Sequence, residues 1–318
     1  MRVLVTGGAG FIGSHIVDAL IARGACTAVL DNLSSGRFEN IDPRVNFYKG
    51  DLRDGKFVRE VLQAEKSDYV IHHAAQIDVQ TSVDDPATDA AINILGTINL
   101  LEACRTCEVK KIVYASSAAV YGNPRYLPVD EEHPVQPLSG YGVSKHTVEH
   151  YLVAYQALYG LKYIALRYAN VYGPRQDATG EGGVVAIFTD RLLRGRRCRI
   201  FGDGRQTRDF IFVGDVARAN LAAIDIDSAA GSGTARRSGG CGIFNISTGI
   251  PTSVNELYDT LRQITGSDLE PEYCPPRAGD IEHSYLDEKA AVTGLRWQAK
   301  RSLVDGLRDT VDYYRQIR

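Results

Sequence analysis

The chain has 318 residues, 44% apolar and 24% charged, which allows a large buried core in one or two globular domains. Its 36 basic and 39 acidic residues leave a formal net charge of −3, so no global field recruits nucleic acid, and no run approaches the roughly 18 apolar residues of a membrane span. No secretory signal stands ahead of the first strand pattern, and the six cysteines form no disulfide-like framework, so a cytoplasmic location is expected.

Through the first half, β-branched runs at 2–6, 26–30, 45–49, 69–73, 112–116 and 163–167 read as strands. Amphipathic helical patterns lie between them at 12–23, 54–65, 88–107 and 141–159, with Gly24 and Gly160 placed for left-handed caps. This alternation predicts an α/β fold, a Rossmann-like doubly wound parallel sheet. The second half is less regular, with helices expected at 184–194, 215–226, 253–264 and 303–316 and strands at 198–201, 210–213 and 243–246. Ser253 and Glu256 have the spacing of a capping box. Residues 228–242 read as a flexible surface loop, and the basic cluster Arg191, Arg194, Arg196, Arg197 and Arg199 as a solvated helix end.

Gly7, Gly10 and Gly13 follow a strand and open a helix, where glycines let backbone approach a pyrophosphate at a helix N-terminus. Asp31 ends the second strand, eighteen residues past Gly13, where a carboxylate accepts ribose hydroxyls and repels a 2′-phosphate. That favours NAD over NADP. Asp51 and Leu52 follow the third strand; the acid there can meet an adenine amino group or simply cap a turn. His72 and His73 end the fourth strand but point to opposite faces, which argues against their sharing a metal. The small Ala74 and Ala75, then Gln76, leave room for a cofactor beside the backbone. Cys104 and Cys107 lack a second pair in metal-ligand spacing, so no metal site is expected.

Tyr141 and Lys145 share one helix face, and Ser117 ends the fifth strand. A phenol has a pKa near ~10 and is a poor base at neutral pH unless positive charge favours its anion. A nearby ammonium and a nicotinamide ring both would, so a downward shift is expected for Tyr141. Lys145 can also hold the nicotinamide ribose, and Ser117 can hydrogen-bond the substrate hydroxyl being oxidised.

The chain resembles the extended short-chain dehydrogenase/reductase family, in its UDP-glucose 4-epimerase-like branch. The resemblance rests on Thr6-Gly-Gly-Ala-Gly-Phe-Ile-Gly-Ser-His15, Asp31-Asn-Leu-Ser-Ser-Gly36, Ser116-Ser-Ala-Ala-Val-Tyr-Gly122 and Tyr141-Gly-Val-Ser-Lys145. Arg167-Tyr-Ala-Asn-Val-Tyr-Gly-Pro174, Ile200-Phe-Gly-Asp-Gly204, Arg208-Asp-Phe-Ile211 and Arg277-Ala-Gly-Asp280 extend it over nearly the whole length. It implies an NAD-binding domain of residues 1–170 plus about 211–246, and a smaller α/β UDP-sugar-binding domain of 171–210 and 247–318. Phe11, Ile12, Asn32, Ser34, Asn93 and Tyr168 would join the cofactor shell. Tyr141 and Ser117 would meet the substrate, Asn170 and the backbone around Phe201 the nucleotide, and Arg208 and Arg277 the diphosphate.

Within that family, sugar 4,6-dehydratases carry an Asp-Glu pair after the catalytic hydroxyl residue, and UDP-glucuronate decarboxylases usually a Glu at the second position. Here those positions are Ala118 and Ala119, which leaves oxidation and re-reduction at C4. The resemblance also makes Ser284, seven residues after Arg277, a gate beside the sugar's C2 region, small enough for UDP-N-acetylhexosamines as well as UDP-glucose and UDP-galactose. A UDP-glucuronate 4-epimerase, with Arg175 as the carboxylate's cation, is the nearest rival, and Asp177 close by in sequence weighs against it. A non-catalytic NAD-sensing binding protein is the rival from another class. The family further implies a homodimer formed through the helices of 88–107 and 141–159.

Overall fold

The computed structural model describes residues 1–179, 183–226, 241–277 and 281–317. The strands of the first half are β1 (Arg2–Thr6), β2 (Cys26–Asp31), β3 (Asn46–Lys49), β4 (Tyr69–His72), β5 (Lys111–Ser117) and β6 (Lys162–Tyr168). They alternate with α1 (Phe11–Ala22), α2 (Gly55–Glu65), α3 (Val79–Asp84), α4 (Pro86–Ala90), α5 (Gly96–Thr106) and α6 (Gly140–Tyr159). Beyond these come β7 (Asn170–Tyr172), α7 (Val184–Leu193), β8 (Arg199–Phe201), β9 (Thr207–Phe212), α8 (Val213–Asp225) and β10 (Gly242–Ile246). The chain ends with β11 (Pro251–Ser253), α9 (Val254–Thr265), β12 (Glu272–Cys274), β13 (His283–Ser284), α10 (Lys289–Gly294) and α11 (Leu303–Gln316).

Seven strands form one parallel sheet in the order β10-β6-β5-β4-β1-β2-β3. Successive β1 side chains enter opposite layers: Val3 and Val5 join Ile16, Leu20, Val113 and Leu166, while Leu4 joins Leu30, Leu100, Ile112 and Leu152. Helices thus cover both faces, as the doubly wound reading requires. The strand order reverses between β1 and β4, and in such sheets ligands bind at the carboxyl ends beside that switch. A separate apolar cluster of Phe188, Ile200, Phe210, Leu257, Leu261 and Val311 lies among β8, β9, α7, α9 and α11. There a four-stranded sheet runs β11-β9-β13 with β7 also on β9, and β12 pairs with β8.

The caps behave as their residue types require. Gly24 and Gly160 take φ of +79° and +74°, and the Ser253–Glu256 box is complete in both directions. The helix expected at 88–107 begins at Pro86, capped by Asp85, and is interrupted by a π-turn at Ala91–Leu95. Most of the loop expected at 228–242 lies outside the described residues, and its last two positions depart from it. Cys241 is buried, and Gly242 starts β10.

Candidate active site

A cavity of about 450 Å³ opens at the switch point, lined by the segments that leave β1, β2, β3 and β4. Its walls include Gly7, Gly10, Phe11, Ile12 and Gly13, then Asp31, Asn32 and Ser34, then Asp51 and Leu52, and finally Ala74, Ala75 and Gln76. The glycines have different reasons to be there. A Cβ on Gly7 would fall 2.5 Å from Ala74 N, and one on Gly13 would fall 2.1 Å from Gly7 O. These two let the turn pack against β4 and upon itself. Gly10, in contrast, would meet only Gly7 O at 3.3 Å, a close contact that a small shift relieves, so the fold demands a glycine there far less than at Gly7 or Gly13. It caps α1 without a side-chain bond, and no acid stands in that helix's first turn. Such a turn can cradle an anionic pyrophosphate, and the donor set fits a dinucleotide.

Asp31 is buried, with Oδ2 accepting from Ala9 N at 3.0 Å and Oδ1 from Leu33 N at 2.8 Å. Fixed in this way, it still has lone pairs to offer ribose hydroxyls. Asp51 receives Asn32 Nδ2 at 3.0 Å and pairs with Arg53. The hydrogen bonds from Arg53 hold its carboxyl well below the usual range. Asp51 therefore orders a turn, as one of its two readings has it, and lines the cavity.

Asn93 and Tyr168 stand behind this wall rather than in it. Asn93 is buried in the π-turn, accepting from Gln76 N at 2.8 Å and donating to Asp89 Oδ1 and Gln76 O, both at 3.0 Å, and to Ser144 Oγ at 3.1 Å. Tyr168 is buried with its hydroxyl 2.9 Å from Asn220 Nδ2 and 3.2 Å from His73 Nε2. His72 bridges Thr6 Oγ1 and Thr97 Oγ1, while burial pushes His73 down to about 3, so both rings stay neutral at ordinary pH. Among the described residues no group of three or more His, Cys, Asp or Glu can hold a metal, and no helix is long and apolar enough to cross a membrane.

Tyr141, Ser117 and Lys145 converge at the carboxyl end of β5. Ser139 caps α6 by accepting from Gly142 N, which fixes the first turn of the helix that carries Tyr141. Ser117 lies close enough to Tyr141 to favour its phenolate. Lys145 Nζ donates to Ala115 O at 2.9 Å and lies 5.7 Å from the centre of the Tyr141 ring. The downward shift expected for Tyr141 is not what this arrangement produces. Burial raises its pKa above the ordinary value, against the lowering effect of Ser117, and Asp89 adds to the rise. Burial also brings Lys145 down to about 8. The sequence shows the ammonium but not how deeply the phenol is buried. Asp89, buried beneath the pair and held by Asn93 and Gln76, was not evident from the sequence.

The residues expected to meet the nucleotide come from distant segments. Parallel pairing of β13 with β9 sets Ser284 in register with Arg208, 76 positions earlier in the chain. The Arg277 guanidinium stacks 4.1 Å over the Phe201 ring, while Asn170 is exposed at the start of β7. Ala278, Gly279 and Asp280 of that motif lie outside the described residues. Arg175 is not set aside for a substrate carboxylate. Its Nη1 lies 2.7 Å from Asp18 Oδ2, while Asp177 pairs instead with Arg37.

Residues 3–239 match the NAD dependent epimerase/dehydratase family. The chain is 45% identical over 321 residues to the UDP-glucose 4-epimerase of Mycolicibacterium smegmatis, with 99% of each covered. It is similar to the structure of the Thermotoga maritima UDP-glucose 4-epimerase with UDP-glucose, at 46% identity and a TM-score of 0.94 over 100% of this chain and 99% of that one. It is also similar to the Thermus thermophilus UDP-glucose 4-epimerase in complex with NAD, at 44% identity and a TM-score of 0.89 over 99% of each. These matches span both the sheet that builds the cofactor cradle and the helix that carries Tyr141, and the chain belongs to the NAD-dependent epimerase/dehydratase family.

Proposed function

We propose that the chain inverts C4 of a UDP-hexose, interconverting UDP-glucose and UDP-galactose through a transient 4-keto sugar. The observation that carries this reading is the approach of Tyr141 to Ser117 beside the buried Lys145, on a strand end that continues into Ala118 and Ala119. The hydroxyls can move one proton to and from the sugar, and the alanines supply no acid for elimination or decarboxylation. Tyr141 takes the C4 hydroxyl proton while Ser117 aligns that hydroxyl. NAD, when bound, supplies reversible hydride acceptance at C4. Lys145 uses one N–H on Ala115 O and has two more to direct at the nicotinamide ribose and the phenol side of the site. Arg208 and Arg277 anchor the diphosphate while the keto sugar turns over, and Tyr141 returns its proton after reduction on the opposite face. Proton NMR of UDP-glucose with catalytic protein and NAD tests this: inversion at C4 without net NADH is expected, and its absence would overturn the reading.

Ser284 stands beside Arg208 in the β9–β13 ladder, so its small side chain leaves space near the anchored diphosphate. UDP-N-acetylglucosamine is therefore also accepted. Ser284→Tyr is expected to depress turnover of the acetylated sugar about tenfold or more while sparing UDP-glucose, the effect of overfilling one part of a pocket. Equal loss on both sugars would sink the gate. The pairing of Arg175 with Asp18 disfavours the uronate reading, since the cation it needs is already engaged.

The protein acts as a homodimer in this proposal. Val143, Leu158 and Tyr159 on α6 and Leu95 ahead of α5 are exposed, an apolar surface a second copy would cover. Light scattering is expected to give twice the chain mass, and Leu158→Glu to shift the population toward monomer.

A further inference from the structure

Three consecutive residues at the end of β5 face three positions on one side of α6. Ala115 O accepts from Lys145 Nζ, Ser116 Oγ donates to Glu149 Oε1 at 2.6 Å, and Ser117 lies beside Tyr141. The outer two links involve the catalytic groups, and the middle one does not. Glu149 is eight positions after Tyr141 and four after Lys145, so all three side chains project from the same side of the helix.

The middle link continues into a second strand. Glu149 is 2% exposed and Arg167 3%, and they form a two-pronged pair, Nε to Oε1 at 2.9 Å and Nη2 to Oε2 at 2.6 Å. Arg167 is the register partner of Ser116 in the β5–β6 ladder. One carboxylate thus binds two adjacent strands to the helix. His146 Nδ1, at 3.2 Å from Oε2, completes the shell. Burial alone would push the Glu149 carboxyl up, but hydrogen bonds from Arg167 and His146, the Arg167 charge and the Ser116 bond hold it down at about 2.

A buried ion pair is an inefficient means of stabilising a fold, because desolvation cancels much of the attraction. This one also leaves Arg167 Nη1 without a hydrogen-bond partner, with the guanidinium over the Tyr121 ring at 4.7 Å. Apolar side chains would fill the space at least as stably. What they would not supply is a directional constraint on how α6 sits along β5. We propose that Glu149, through Ser116 and Arg167, is a positioning residue that fixes α6 on β5 so that Tyr141 stays aligned with Ser117. The inference rests on the C4-inversion reading for its kinetic consequence, though its geometric content stands apart from it.

The experiment replaces the pair with apolar residues, Glu149→Leu with Arg167→Met, in the full-length protein with NAD. Tm and the affinities for NAD and UDP are expected to stay close to the parent values. The kcat for C4 inversion is expected to fall about 10–100-fold, the cost of a misplaced reacting group, with KM little changed. A kcat within twofold of the parent at a matched Tm would show a purely structural role and overturn the proposal. Should the double variant not fold, Ser116→Ala removes only the link to the strand, and an unchanged kcat there overturns it equally. The titration of Tyr141 is the second readout, followed by 13C-tyrosine NMR with Tyr141→Phe for assignment. Moving Tyr141 away from Ser117, which favours its phenolate, shifts that titration upward even if the parent proves unable to invert C4, so failure of the function reading and failure of this one are told apart. An unmoved titration counts against the positioning role.

Discussion

Tyr141→Phe is expected to lower the rate of C4 inversion about 10²–10⁴-fold, the usual contribution of a positioned acid–base group. The variant should fold and bind NAD and UDP like the parent. The ring is half-buried, and phenylalanine keeps its shape, so the change removes a proton carrier while leaving the packing intact. Ser117 cannot take over, because its Oγ also accepts from Ala119 N at 3.2 Å and a serine hydroxyl is a far weaker acid than a phenol. The direction of the Tyr141 shift makes the loss more severe. Burial and Asp89 oppose the phenolate, and Ser117 only partly offsets them. The phenol therefore depends on positive charge brought near it, and Lys145, held at about 8, keeps its charge below that pH and loses it above. The parent kcat is expected to show a rising limb that reports the phenol, and the variant's residual rate to lack it. Retention of more than a tenth of the parent kcat would mean that another group is the base.

The features legible from local sequence are those set by local rules. Glycines at the end of β1, alternation of strands with amphipathic helices, and a Tyr–Lys pair at helical spacing each follow from backbone geometry within a few residues. They locate the switch-point cavity and the catalytic helix. Short elements escape such rules. β11 and β12 have three residues each and β13 has two, too few to show a period, and they exist because β9 and β8 offer edges to pair with. Only that pairing brings Ser284 beside Arg208.

Long-range side-chain partners are equally silent in the sequence. Nothing local in the sequence pairs Glu149 with Arg167; only the assembly of β5, β6 and α6 brings them together. The π-turn at Ala91–Leu95 carries no compositional mark, yet it points Asn93 at Gln76 and Ser144 together. The burial that raises the Tyr141 phenol in the protein alone is silent in the sequence for the same reason. Nearby charges can be read from spacing, whereas desolvation depends on everything that packs around the phenol.

Gly10→Ala and Gly13→Ala are expected to fail in opposite ways, and the contrast tests the cofactor cradle directly. At Gly13 the new methyl would stand 2.1 Å from Gly7 O and 2.9 Å from Gly8 Cα, both backbone atoms that cannot swing aside. Overpacking of this kind costs about 1–3 kcal/mol or more. At about 2–4 °C per kcal/mol for domains of 150–250 residues, Tm should drop by several degrees. At Gly10 the backbone has φ −76°, which alanine adopts freely, and the methyl meets only Gly7 O at 3.3 Å. The fold should hardly register it. The methyl would, however, project where the α1 N-terminus must approach a pyrophosphate, and the same overpacking cost then falls on binding. Each 1.4 kcal/mol is tenfold, so the Kd for NAD should rise about 10–100-fold with Tm unchanged. Thermal melts and calorimetric NAD titrations on both variants decide the matter. A Gly10→Ala protein that bound NAD like the parent would show that the pyrophosphate does not pass over this turn, whereas one that lost stability as Gly13→Ala does would place Gly10's role inside the fold.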